Sequence, residues 1–116
     1  MNDVKKLTKD IVNFRNARDW KQFHNPKDLS ISLVLEATEV LEHFQWKSAK
    51  EMEEYSRSHK KEIGEELADT LYWILLLGND LKIDVLKALE KKIKINNEKY
   101  PVEKSKGNHK KYTELK

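Results

Sequence analysis

Apolar side chains recur at three- and four-residue intervals along most of this chain, and only helices turn that spacing into a continuous face. Leu7, Ile11 and Phe14 follow it in the first segment, and Leu29, Leu33, Ala37, Val40, Leu41 and Phe44 in the second. The chain has three Gly and two Pro in 116 residues, so it lacks the punctuation that a sandwich or barrel of many short strands requires. The expected fold is all-α, in one domain with a single core.

Terminators and caps divide the chain into four helical segments. The first runs from about Asp3 to Asp19. The second opens at Asn25-Pro26, an N-cap residue followed by the residue best suited to the first helical position. Ser48-Ala49-Lys50-Glu51 is a capping-box pattern opening a third stretch, a short helix leading into a long one that ends near Leu81, with a break around Ser56 to Ser58. The fourth begins at Ile83-Asp84 and must finish before Pro101. Residues 1–100 form the expected domain and 101–116 a basic C-terminal tail. The run Leu71–Leu77 is apolar all round its helix, so a four-helix bundle of this length is expected to be completed by association with other copies. Phe23 and Phe44 are expected to close the end of the core.

With no cysteine, the chain has neither a thiolate nucleophile nor a Cys-based zinc site. No signal-peptide pattern opens it and no apolar run is long enough to cross a bilayer, so a cytoplasmic protein without a membrane partner is expected. Residues 1–81 carry 12 basic and 15 acidic side chains, a net −3, whereas residues 82–116 carry 11 basic and five acidic, a net +6. An acidic body without a helix-turn-helix pattern argues against a nucleic-acid partner.

The carboxylates carry the chemistry. Acidic pairs at i, i+3 occur five times, so spacing alone says little, but two pairs border buried faces. Glu36 has Leu33 and Val40 one turn to either side, within a polar stripe of Ser32, Glu36, Glu39 and His43. On the third segment Glu62, Glu66, Asp69 and Trp73 share a stripe, with Asp69 next to the apolar run. Two such stripes meet when their helices pack, and a divalent cation offsets both the desolvation and the mutual repulsion. Oxygen-only ligands favour Mg²⁺, with Mn²⁺ as the alternative. A di-iron centre would need Glu three residues before a histidine on two helices, and Lys21, Val40, Ser56 and Lys106 occupy those offsets. Trp20, His24 and Trp46 offer stacking faces and polar edges suited to a nucleotide base. Lys92 and Asn96 lie on the Lys-rich fourth helix, which lacks any Gly-rich phosphate loop.

Taken in order, Arg18-Asp19-Trp20-x-Gln22-Phe23-His24-x-Pro26, Glu36-x-x-Glu39, Phe44-Gln45-Trp46-Lys47, Glu65-Glu66-Leu67-x-Asp69, Ile95-Asn96, Tyr100-Pro101 and Lys111-Tyr112-Thr113-Glu114-Leu115 span nearly the whole chain. The sequence thus resembles the MazG-like, all-α nucleotide pyrophosphohydrolases, and within them the dCTP pyrophosphatase branch. The resemblance implies Mg²⁺ ligation by Glu36, Glu39, Glu66 and Asp69, base or sugar contacts from Trp20, His24 and Trp46, and phosphate or sugar contacts from Lys92 and Asn96. It implies cleavage of the α–β anhydride of a (d)NTP, dCTP or a modified dCTP, by a homo-oligomer, dimer or tetramer. Trp73 stands where that branch carries a tyrosine, which places a bulkier ring in the pocket. The competing expectation is a non-catalytic helical module that binds nucleotides or a partner protein.

Overall fold

The computed structural model describes residues 2–115, and among them every regular element is helical. The chain divides into two compact units, the first ending at Lys82 and the second beginning at Ile83.

The first unit holds α1 (Asp3–Ala17), α2 (Pro26–Glu42), α3 (Ala49–Ser58) and α4 (Lys60–Asp80). Each start follows from local chemistry. The side chains of Asn2, Asn25 and Ser48 accept hydrogen bonds from the amides of Lys5, Asp28 and Glu51, satisfying donors that the first helical turn leaves free. At Ser48 the capping box closes completely, since the Glu51 carboxylate accepts from the Ser48 amide in return. His59 alone separates α3 from α4, placing the break one residue beyond the expected Ser56 to Ser58. The α1 helix stops at Ala17, and Asp19 takes a left-handed conformation (φ 55°) that its short polar side chain tolerates.

The core is built on α4. It packs most extensively against α2, then against α1, and α3 touches it more lightly. Among the described residues, Leu29, Leu75 and Leu76 have the buried apolar side chains. The inward stripe of α2 passes through Leu29, Ser32, Leu33, Glu36, Val40, His43 and Phe44, whereas Leu41, assigned to that face from its spacing, is exposed. On α1 the inward residues are Val4, Thr8, Ile11, Val12 and Arg15, and the expected Leu7 and Phe14 turn toward solvent. The α1 face is rotated because Arg15 finds a carboxylate inside, which no apolar count can register. Phe23 does not close the core: it is 65 % exposed, held on a short 3-10 turn (Lys21–Phe23) that projects it outward. Phe44 is half-buried, edge-on to Tyr55. Leu71, at the start of the apolar run, also remains exposed, together with Ile31, Val34 and Leu35 on α2 and Leu67 on α4.

The second unit consists of α5 (Val85–Lys99), a one-turn α6 (Val102–Ser105) and a 3-10 turn at Tyr112–Glu114. Asp84 caps α5 by accepting from the Lys87 amide. Tyr112 lies edge-on to Tyr100, with the Lys99 ammonium 4.4 Å from its ring centre, so the segment after Pro101 folds back on the end of α5. No helix among the described residues is long and apolar enough to cross a membrane.

Leu76 is fully buried at the centre of the first unit. Leu76→Ala is expected to lower unfolding free energy by about 3 kcal/mol, the usual cost of a leucine-sized cavity. Urea denaturation followed by far-ultraviolet circular dichroism measures it.

Candidate functional site

The inward stripes of α2 and α4 carry carboxylates to one place. Glu36 sits among Leu33 and Val40 on α2, and Glu66 among Ile63, Thr70 and Trp73 on α4. When the two helices pack, carboxylate oxygens of Glu36, Glu39 and Glu66 fall within 4.8 Å of one another. One oxygen of Glu36 (Oε2) and one of Glu66 (Oε2) are shielded from solvent and have no hydrogen-bond partner. The ion pairs among the described residues are Arg15–Asp80 and Arg57–Glu53, so no basic side chain neutralises the cluster.

The electrostatic result is a cluster that resists full ionisation. The Glu66 carboxyl is pushed up to about 7, first because its hydrogen bond with Glu39 requires a proton, then by burial and by the charges of Glu39, Glu36 and Asp69. Glu36 is also raised, chiefly by burial, then by its hydrogen bond and repulsion with Glu39 and by Asp69. Asp69 is exposed and lies outside the group of three, yet its charge acts on both. Unpartnered oxygens, raised affinity for positive charge and a purely oxygen donor set fit a hard divalent cation. Glu62 and Glu65, on the same helix, are exposed.

The aromatic residues meet α4 further along. His24 packs edge-on against Trp73, ring centres 5.8 Å apart, and Trp73 in turn is edge-on to Tyr72 at 5.0 Å. His24 Nδ1 is buried without a partner, and burial, followed by the Arg15 charge, holds the imidazole below its ordinary range. Trp20 leans edge-on against Phe14 at 5.7 Å, with the Arg18 guanidinium 3.7 Å over the Phe14 ring. The loop between α1 and α2 is fastened locally: the Gln22 amide donates to both the carbonyl and the carboxylate of Asp19. Trp46 is 88 % exposed in the turns after α2, and Lys92 and Asn96 are exposed on α5 in the second unit. The structure thus groups three of the four candidate carboxylates, and His24 with Trp73.

Two further features had no part in the sequence reading. Arg15 and Asp80 form a bidentate ion pair joining α1 to the end of α4. No local pattern signals this pairing, which joins residues 65 apart in the chain. Tyr55 is the second: its hydroxyl lies 2.6 Å from His43 Nδ1, its ring stacks on His59 at 3.9 Å, and Lys47 Nζ lies 4.1 Å from its centre. This cluster fastens α3 to the end of α2 beside Trp46.

Comparison with known proteins gives one consistent result. Residues 31–115 match the MazG-like family. The chain is 35 % identical over 117 aligned residues to dCTP pyrophosphatase 1 of Rattus norvegicus, covering 99 % of this chain and 67 % of that protein. It is 34 % identical to dCTP pyrophosphatase 1 of Homo sapiens, with the same coverage. The crystal structure of a pyrophosphatase from Archaeoglobus fulgidus superposes with a TM-score of 0.82 at 35 % identity, over 87 % of this chain and 94 % of that one.

The raised carboxyls have a thermodynamic consequence. A group whose affinity for protons is higher in the folded state stabilises the fold below its unfolded pKa, and loses that contribution as pH rises through the folded value. In a chelator, the melting temperature is expected to fall as pH rises from about 4.5, the ordinary glutamate value, through about 7. Saturating Mg²⁺ should largely remove the fall by binding the ionised cluster. Differential scanning fluorimetry across this range, with and without Mg²⁺, checks both.

Proposed function

This chain belongs to the MazG-like family, and on that premise we propose that it is a Mg²⁺-dependent nucleoside triphosphate pyrophosphohydrolase. It cleaves the α–β anhydride of dCTP or a modified dCTP to the monophosphate and pyrophosphate. The carboxylate cluster carries this reading, because Glu36, Glu39 and Glu66 converge without any positive side chain to balance them. The relatives named dCTP pyrophosphatase support the substrate class.

Glu36, Glu39, Glu66 and Asp69 are the proposed metal ligands, with Mn²⁺ able to substitute. A cation held there lowers the pKa of a bound water and neutralises charge on the phosphoryl oxygens. The chain's own contribution is positioning and electrostatics. The shielded, like-charged acids are preorganised to take up positive charge, so no side chain has to be recruited when metal and triphosphate arrive. Glu62 and Glu65, both on α4, are the candidates to take the proton of the attacking water. His24 and Trp73 offer a base an imidazole edge and an indole face, Trp20 and Trp46 supply further stacking surface, and Lys92 and Asn96 supply phosphate or sugar contacts. Trp73 sets the width of the base pocket.

The working form is a homo-oligomer, dimer or tetramer. Ile31, Val34, Leu35 and Leu41 on α2 and Leu67 and Leu71 on α4 are exposed apolar side chains that a second copy could cover. Residues 1–100 form the catalytic domain with 101–116 appended, and the protein acts in the cytoplasm.

Glu39→Gln and Asp69→Asn are each expected to abolish pyrophosphate release from dCTP with Mg²⁺ while helicity and oligomer size persist. Activity at the wild-type level in either variant excludes that residue from the metal site. A panel of canonical and modified (d)NTPs assayed for pyrophosphate separates the enzyme from a non-catalytic nucleotide-binding or interaction module, which releases none from any member.

Trp46→Ala is expected to raise KM for dCTP about tenfold with little change in kcat, as loss of a stacking contact made equally in ground and transition states requires. Steady-state kinetics check it, and an unchanged KM removes Trp46 from the pocket.

A further inference from the structure

Arg15 occupies a place on α1 where an apolar side chain belongs. It shares the inward stripe with Val4, Thr8, Ile11 and Val12, and is the most buried of them at 1 % exposure. Its guanidinium donates two hydrogen bonds to Asp80 at the end of α4, Nη1 to Oδ2 at 2.6 Å and Nη2 to Oδ1 at 2.9 Å. A planar fork on a carboxylate fixes distance and angle together. Buried pairs of this kind add little net stability over apolar packing, and here Nε is also buried without a partner. Stability therefore gives a weak reason for the pair; its surroundings give a better one.

The Arg15 carbonyl accepts the amides of Arg18 and Trp20, each at 3.2 Å, so the residue that clamps Asp80 also starts the loop bearing Trp20 and His24. Asp80 lies two turns beyond Trp73, against which His24 packs. Three charges act on His24 from three elements: Arg15 on α1, Asp28 on α2 and Asp80 on α4. We propose that Arg15 and Asp80 are positioning residues for nucleotide recognition: their ion pair seats the Trp20–His24 loop against α4 and thereby sets the edge His24 presents to the base. The proposal rests on the reading of Trp20, His24 and Trp73 as a base pocket. Neither Arg15 nor Asp80 touches the nucleotide; both act through His24.

The pair also governs what His24 can donate. Burial and Arg15 lower its proton affinity, whereas Asp80 and Asp28 raise it. A lowered proton affinity favours the neutral imidazole, which offers one donor and one acceptor, enough to distinguish base edges. Protonation makes both nitrogens donors, so recognition weakens as pH falls through the His24 value.

The test uses the full chain with dCTP and Mg²⁺. The double variant Arg15→Met, Asp80→Leu replaces the pair by apolar side chains of similar size. Its melting temperature and helicity are expected to match the wild type. Its KM is expected to rise about tenfold, with kcat within about twofold. Asp80→Asn keeps the shape and one acceptor but removes a charge that raises His24, so the acid limb of the kcat/KM profile should move to lower pH. Lost packing alone does not move that limb. His24→Ala is the control, expected to raise KM; the acid limb that the carboxylate cluster still contributes should then no longer move when Asp80→Asn is added. If His24→Ala behaves so while KM in the double variant stays at the wild-type value, the positioning role is overturned and the pocket stands. Should the double variant not fold, an unmoved limb in Asp80→Asn overturns it instead. An unchanged KM in His24→Ala overturns the pocket reading itself.

Discussion

The packing of α2 on α4 forces like charges together, and the rest of the first unit is arranged around that constraint. Two helices that bury leucines along most of their contact also bring Glu36, Glu39 and Glu66 within 4.8 Å. Apolar burial at Leu29, Leu75 and Leu76 drives the packing, and the acids oppose it. Protons relieve the opposition in part, which is why the Glu66 carboxyl is pushed up to about 7. Like-charged acids held this close have a raised affinity for positive charge.

The remaining elements bring aromatic side chains against the same helix. The α1 helix delivers Trp20 and His24 through a loop pinned at Asp19, and Arg15 ties the same helix to the far end of α4. Trp73 belongs to the helix that also bears Glu66 and Asp69, so aromatic surface and acids share one rigid support. On the proposed reading, a base on the aromatic rings and a triphosphate at the carboxylates would be held in a fixed relation along α4. Precision of this order favours helices over loops as carriers of reacting groups.

The sequence made the helices legible because their signals are local. Asn25-Pro26, the Ser48 capping box and Asp84 are each read within four residues, and the structure has a helix start at each. Glu36 was legible because it borders an apolar face, and Glu66 because it shares one stripe with Glu62, Asp69 and Trp73. Long-range pairing was not legible. Nothing local announces that Arg15 meets Asp80, 65 residues away, and the consequence was a wrong face for α1, with Leu7 and Phe14 assigned inward. Phe23 failed for a related reason: aromatic character suggested core, whereas the 3-10 turn that carries it points it to solvent. Periodicity counts apolar atoms, and it has no means of weighing a buried guanidinium that has found its carboxylate.

The lightly attached α3 has a different significance. It meets α4 sparingly and is fastened at its end by Tyr55 between His43 and His59, while the groups on α2 and α4 face each other without it. The span from Ser48 to His59 thus serves as a bridge, and the separation of the two acid pairs along the chain is a matter of its length alone. Bridges of this kind tolerate insertion, shortening and new cargo, because the register between the supporting helices is set elsewhere. One consequence is evolutionary latitude: this stretch is where descendants of such a chain can acquire new surfaces while the charged centre stays as it is.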